Sequence, residues 1–131
     1  MKLLLDTHIF LWSLLEPERL SEWVVSALLS AENERWFSPI SIWETLLLAE
    51  KGRIELRPDP TAWVRRALEI APFREAPLNR EVALQSRVMG LSHQDPADRF
   101  LAATAAVYGL TLVTVDERLL AGTGFQVFQA R

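Results

Sequence analysis

Short apolar runs alternate along the chain with longer stretches of helical periodicity. Residues 2–5 form a largely apolar run that ends in an acid, which predicts a buried strand. Further strand patterns, the second of them weak, cover 35–38, 73–78, 110–115 and 126–128. Capping residues and prolines place helices between them, over 7–16, 21–31, 39–52, 79–89 and 95–108, with a further helix that begins at 59 and includes 63–68.

Strands that alternate with helices favour parallel pairing, with helices on both faces of the sheet. The pattern therefore predicts a three-layer α/β/α fold with a central, mainly parallel sheet of four to five strands. No repeat or linker divides the chain, so we expect residues 1–131 to form a single domain. Ligands of such sheets bind beyond the carboxyl ends of the strands, so acids placed there are candidates for function.

Composition narrows the chemistry. The chain has 131 residues and no cysteine, which excludes disulfides and thiolate metal sites. Its net charge of −3 argues against binding nucleic acid through a broad basic face alone, but leaves nucleic acid open as a substrate. Asp6 interrupts the apolar start, and residues 100–115 are too short for a membrane span. We therefore expect a cytoplasmic protein with no membrane segment.

Four acids stand out by their positions in the predicted elements. Asp6 and Asp116 follow strands, whereas Glu44 and Asp98 lie near the starts of helices. A parallel sheet can bring them together at one edge, where their mutual repulsion would call for bound cations. Oxygen ligands without cysteine favour Mg²⁺ or Mn²⁺, and such sites commonly activate water for phosphoryl chemistry.

Each acid taken alone also has a simpler interpretation. Asp98 follows Asp95 by three residues and suits the first turn of a helix, and Ser41 and Glu44 have the spacing of a capping box. Asp116 fits a turn. Asp6 is harder to explain in this way, because an unpaired carboxylate beside a core strand is costly to bury.

Four segments in order carry a resemblance to a known family. They are Leu4-Leu5-Asp6-Thr7-His8, Ser38-Pro39-Ile40-Ser41-Ile42-Trp43-Glu44, His93-Gln94-Asp95-Pro96-Ala97-Asp98-Arg99 with Leu101-Ala102-Ala103-Thr104-Ala105, and Leu112-Val113-Thr114-Val115-Asp116. With these segments the chain resembles the PIN-domain ribonucleases over essentially its full length, in particular the toxins of bacterial VapBC-type toxin–antitoxin pairs.

The resemblance implies a metal-dependent endoribonuclease. Asp6, Glu44, Asp98 and Asp116 would hold Mg²⁺ or Mn²⁺ and activate water, so that hydrolysis leaves a 5′-phosphate and a 3′-hydroxyl. Thr114 matches a hydroxyl position that orients the site, and Thr7 or Ser41 would do similar work. Arg99 would either contact a substrate phosphate or pair with a neighbouring acid. His8 and His93 are expected to serve packing.

The same resemblance implies three partners: an RNA substrate, with tRNA or rRNA as the expected targets, a cognate antitoxin protein and a second copy of the chain. Among five tryptophans, Trp12, Trp23, Trp43 and Trp63 fall in predicted helices, where a place in the core is the first expectation and an interface the second.

Two alternative functions remain open from the sequence. One is a non-catalytic PIN-like module that binds protein or RNA, although such a module would be expected to lack one or more of the acids. The other is a phosphatase of the haloacid dehalogenase type, which also starts with an aspartate after its first strand. That family has a second aspartate two positions later, where this chain has His8.

Overall fold

The strands and helices follow the predicted order closely. A computed structural model describes residues 1–130. Its elements are β1 (Lys2–Leu5), α1 (Thr7–Leu15), a 3₁₀ turn (Pro17–Arg19), α2 (Glu22–Leu29), β2 (Glu34–Phe37), α3 (Pro39–Glu50), α4 (Pro60–Ile70), β3 (Arg74–Glu75), α5 (Arg80–Ser86), α6 (Pro96–Tyr108), β4 (Thr111–Thr114), α7 (Glu117–Leu120) and β5 (Gln126–Gln129). Helices α2 and α5 end two and three residues earlier than predicted, at Leu29 and Ser86. The four-residue helix α7 was not predicted, because it is too short to show a helical period.

The five strands pair in the order β3-β2-β1-β4-β5, and every pairing is parallel. The chain builds outward from β1 through β2 to β3, then returns to the other side of β1 for β4 and β5. The order therefore reverses between β1 and β4, and a crevice opens at that position beyond the carboxyl ends of the strands. The predicted sheet of four to five strands is confirmed, and it is entirely parallel.

Alternation along the central strands divides the core into two layers. Leu3 and Leu5 of β1 pack in one cluster with Phe10 of α1 and Val24 of α2. Leu4 points the other way and packs with a second cluster, which includes Leu101 of α6. Because successive strand residues face opposite sides of a sheet, both faces of β1 are buried under helices. The predicted three-layer arrangement is confirmed.

Helix starts gather at the carboxyl edge of the sheet. The Asp6 carboxylate caps α1 directly after β1, and Asp116 caps α7 two residues after β4. Ser38 caps α3 immediately after β2, and Asp95 caps α6. Side-chain oxygens at these positions satisfy backbone N–H groups that a helix start leaves unpaired. Within residues 1–130, no helix has the length and apolar character needed to cross a membrane.

Candidate active site

A cleft of about 680 Å³ opens at the carboxyl edge of the sheet, beside β1 and β4. All four acids singled out in the sequence line it, together with a fifth carboxylate and several cationic and aromatic side chains. Its lining includes Asp6, Glu44, Asp95, Asp98, Asp116, His8, Trp12, Lys51, Arg53 and Arg118. We call it the acidic cleft. The fold thus brings together residues as far apart in sequence as Asp6 and Asp116.

Asp6 is the most deeply buried of the acids. One carboxylate oxygen accepts from the Thr7 backbone N–H at 2.7 Å, and the other accepts from the Thr114 hydroxyl at 2.7 Å. Burial raises the pKa of Asp6, and the Thr114 hydrogen bond is the leading opposing effect. Thr114 also accepts from the backbone N–H of Asp116 at 3.0 Å. The Thr114 hydroxyl therefore ties together the residues that follow β1 and β4.

Glu44 is held by residues of α1 and α3. The Thr7 hydroxyl donates to its carboxylate and lies 2.9 Å from the Ser41 hydroxyl oxygen. Burial raises the pKa of Glu44, and the Thr7 hydrogen bond opposes the rise. The capping-box interpretation is wrong: Ser38 caps α3, so Glu44 lies well inside the helix.

Asp98 and Asp116 occupy contrasting environments. Burial raises the pKa of Asp98 to about 7, with further contributions from Asp6, Asp95 and Asp116. Burial also acts to raise the pKa of Asp116, but hydrogen bonds and charge from Arg118 outweigh it and lower that pKa. The Arg118 guanidinium lies 3.1 Å from the Asp116 carboxylate and 3.7 Å from that of Asp98. Arg118 is thus a local counter-ion for two of the four acids.

Two further residues flank Asp98. Asp95 caps α6 by accepting from the Asp98 backbone N–H at 3.1 Å, as expected, and it also lines the acidic cleft. His93 Nε2 lies 3.5 Å from the Asp98 carboxylate. This nitrogen is buried and has no hydrogen-bond partner among the described residues. Asp98 is therefore enclosed on one side by an imidazole and on the other by carboxylates.

The structure corrects both sequence-based interpretations of Arg99. Its guanidinium is buried and donates to the backbone carbonyls of Ser86, Met89, Leu91 and His93 at 2.8–3.4 Å. The N–H donors of the guanidinium are engaged by these carbonyl oxygens. Arg99 therefore neither points at the cleft nor pairs with an acid. Arg99 holds the connection between α5 and α6 in place, and so fixes the loop that carries His93.

The donor chemistry of the acidic cleft fits a hard divalent cation. Carboxylate oxygens of Asp6, Glu44, Asp98 and Asp116 face one solvent-connected space, and three of the four have raised pKa values that a cation would lower. Among residues 1–130, no three acidic or histidine side chains are close enough to share one ion in this conformation. In this conformation an ion in the cleft would therefore be held by one or two carboxylates and complete its coordination with water.

Sequence reasoning missed the cations of the cleft. Lys51 and Arg53 follow α3 and reach the cleft wall, and Arg118 lies two residues after Asp116. The segment Asp116-Glu117-Arg118 offered a local signal for Arg118, since an aspartate that caps a short helix sits close to the residue two positions later. Nothing in the sequence marked Lys51 or Arg53, because their place in the cleft depends on how the chain turns after α3.

Fold and site together define a three-layer α/β protein with an acidic cleft at the topological switch of a parallel sheet. The sequence profile of the PIN domain matches residues 3–124. This chain belongs to the PIN domain family, and the resemblance found in the sequence is confirmed.

Individual relatives agree with this assignment. Ribonuclease VapC22 of Mycobacterium tuberculosis is 38% identical over 122 residues, which cover 88% of each chain. FitAcB from Neisseria gonorrhoeae shares 28% identity and superimposes with a TM-score of 0.67 over 96% of both chains. VapBC2 from Rickettsia felis, solved bound to a promoter DNA fragment, has a TM-score of 0.75 over the full length of both chains; at 15% identity it shares the fold.

Proposed function

We propose that this protein is a metal-dependent endoribonuclease and acts as the toxin of a toxin–antitoxin pair. The observation that carries the proposal is the convergence of Asp6, Glu44, Asp98 and Asp116 on one cleft at the switch point of a PIN domain. The relation to Ribonuclease VapC22 supports RNA as the substrate class. The tRNA and rRNA of the cytoplasm are the substrates we would test first.

The same four carboxylates would hold Mg²⁺ or Mn²⁺, which supplies a water of lowered pKa and offsets charge on the reacting phosphate. The contrast between Asp98 and Asp116 supports this assignment. The pKa of Asp98 is raised to about 7 by burial and neighbouring acids, so its ionised form lacks sufficient compensation within the protein. A bound cation would provide that compensation.

Around the acids, other residues of this chain fix orientation. Thr114 and the Thr7 N–H hold both oxygens of Asp6, and the Thr7 hydroxyl holds Glu44. These bonds set the direction in which each carboxylate faces the cleft. Lys51 and Arg53 line the same space and offer positive charge to the phosphates of an approaching RNA.

The partners follow from the same relationship and belong to the proposal. We propose a cognate antitoxin, since structural neighbours with the same fold include the VapBC2 complex of Rickettsia felis, and we propose a homodimer separately from that comparison. Trp23 and Trp43 are half exposed on α2 and α3, which suits an interface better than the core. Membership of the PIN family leaves the haloacid-dehalogenase-type phosphatase without support. The non-catalytic module remains as an outcome of the test.

The deciding experiment is cleavage of a mixed tRNA and ribosomal RNA pool by purified, partner-free protein. We expect discrete cuts with Mg²⁺ or Mn²⁺ and none with EDTA. Asp6→Asn should abolish the cuts, because it removes a carboxylate at the centre of the cleft. Glu69→Gln is the matched control: its carboxylate is exposed on α4 away from the cleft, so this variant should cut like the wild type.

Two results would overturn the proposal. Metal-independent cutting, or cutting that survives in Asp6→Asn, would show that the activity does not come from the acidic cleft. No cutting of any RNA in the pool by folded, metal-loaded protein would favour the non-catalytic module. Thermal unfolding with and without metal establishes that the protein tested is folded and loaded.

A further inference from the structure

A second cavity adjoins the acidic cleft, between α1 and the segment that follows α3. Its volume is about 280 Å³, and it shares His8, Trp12, Leu48 and Arg53 with the cleft. We call it the side pocket. Because the two cavities adjoin along these residues, a polymer bound across the acids would pass beside the side pocket.

The side pocket combines aromatic, apolar and cationic groups. The rings of His8 and Trp12 lie 6.1 Å apart, and the Arg19 guanidinium stacks over the indole at 4.5 Å from its centre. Leu11 and Leu15 add apolar surface. Arg19 covers one face of the indole, so a planar ring that enters the pocket would stack on the outer surface of this guanidinium–indole pair.

Charge at the side pocket points to an anionic ligand. Arg19 and Arg53 line it, and Glu16 is the one acid among its lining residues. Glu16 already pairs with Arg19 at 3.2 Å. Arg53 stands on the boundary with the acidic cleft, where it can approach a phosphate held on either side. A ligand with a flat ring close to a phosphate would suit both features of the pocket, and a nucleotide has this combination.

We infer that the side pocket binds one unpaired base of a single-stranded RNA whose backbone crosses the acidic cleft, with Trp12 as the stacking residue and Arg53 as the phosphate contact. The inference rests on the proposed function and names the substrate's form. A base within a duplex is already stacked and paired, whereas an unpaired base is free to enter a pocket. Stacking on an indole is tolerant of base identity, so this subsite selects strandedness more than sequence.

The test measures binding without cleavage. A fluorescently labelled six-nucleotide RNA and a base-free ribose-phosphate chain of equal length are titrated with protein in EDTA, and anisotropy gives both dissociation constants. Wild type should bind the RNA about 5- to 100-fold more tightly than the base-free chain, the range expected for one stacked base. Trp12→Leu should bring the two constants within about twofold, and Trp12→Phe should fall between.

Two matched variants control the measurement. Trp36→Leu removes a tryptophan of β2 that stacks near Tyr108 outside both cavities, and it should keep the full preference for RNA. Arg53→Gln should weaken binding of both ligands alike and reduce the salt dependence, because it removes a phosphate contact that does not sense the base. Thermal unfolding verifies that each variant is folded.

Several outcomes would overturn the subsite. Equal affinities of wild type for the two ligands would show that the side pocket does not sense a base. An unchanged RNA preference in Trp12→Leu would remove Trp12 from recognition. This experiment measures binding and not cleavage, so its result is separate from that of the nuclease assay. RNA binding can depend on the base in a protein that does not cut RNA, and a protein that cuts RNA can show no such dependence.

Discussion

Replacing Asp98 by asparagine should stabilise the metal-free protein at alkaline pH. The folded pKa of Asp98 is about 7, raised from 3.8 first by burial and then by Asp6, Asp95 and Asp116. Between these two values the folded protein holds a proton that the unfolded chain has released. The contribution of this group to stability is therefore complete below about pH 4 and is lost as the pH rises through about 7. Asparagine keeps the shape and removes the ionisation.

The magnitude follows from the size of that shift. About three pH units correspond to about 4 kcal/mol, at 1.36 kcal/mol for each unit. The cleft admits water, which screens the neighbouring charges, so we take half of this figure, about 2 kcal/mol. Asp98 also lies in the first turn of α6, where losing a negative charge costs about 0.5 kcal/mol. The net gain is about 1.5 kcal/mol, or roughly 5 °C in melting temperature for a chain of this size.

The assay is thermal unfolding in EDTA at about pH 8 and about pH 5, on either side of the folded pKa. Asp98→Asn should melt higher than wild type at the alkaline pH, and the gain should fall to about a third at the acidic pH, which lies between the unfolded and folded pKa values. Glu69→Gln, which removes an exposed carboxylate, should show no such pH dependence. An equal effect at both values, or a destabilisation at the alkaline pH, would refute the account of the cleft as a site of uncompensated negative charge.

Three further predictions concern the residues that support the cleft. Thr114→Val should lower the unfolding free energy by about 2 kcal/mol in urea melts and weaken Mn²⁺ binding in calorimetry, because Asp6 loses its hydroxyl donor; Thr114→Ser should preserve both. Arg99→Met should destabilise the fold by about 3 kcal/mol and speed hydrogen exchange in the α5–α6 connection, and Arg99→Lys should not rescue it. Arg118→Gln should bind Mn²⁺ roughly threefold to tenfold more tightly, because the guanidinium no longer competes for Asp116; weaker binding would contradict that competition.

Most of the fold was predictable because local signals and tertiary structure agree. The leucines of β1, the cap and proline at Asp95-Pro96, and the glycine that ends α6 at Gly109 are all local features with direct structural consequences. The alternation of strands and helices then fixed parallel pairing. The sequence-based predictions failed for a short helix and for a helix end. Helix α7 has only four residues, and α5 ends at Ser86 although its helical sequence pattern continues.

The cleft was predictable in its acids but not in its cations. A carboxylate that follows a strand is marked by the strand itself, as at Asp6. The position of an arginine side chain depends on several torsion angles and on which hydrogen-bond acceptors lie nearby. The amino-acid sequence alone does not show which acceptors those are. Arg99 shows this dependence: it follows Asp98 directly, yet helical geometry turns it away from the cleft toward buried carbonyl oxygens.

At Asp6 and Asp116, helix capping and the proposed function use the same carboxylates. Both carboxylates cap helices that begin at the carboxyl edge of the sheet, each by accepting a backbone N–H. A helix start supplies partial positive charge, which lowers the free energy of a carboxylate placed there. Capping therefore stabilises the ionised carboxylates at the carboxyl edge of the sheet when no metal ion is bound. Asp98 is different, since its backbone N–H is capped by Asp95 and its own carboxylate caps nothing. Burial and neighbouring acids raise the pKa of Asp98 to about 7, so its replacement should report directly on uncompensated negative charge in the cleft.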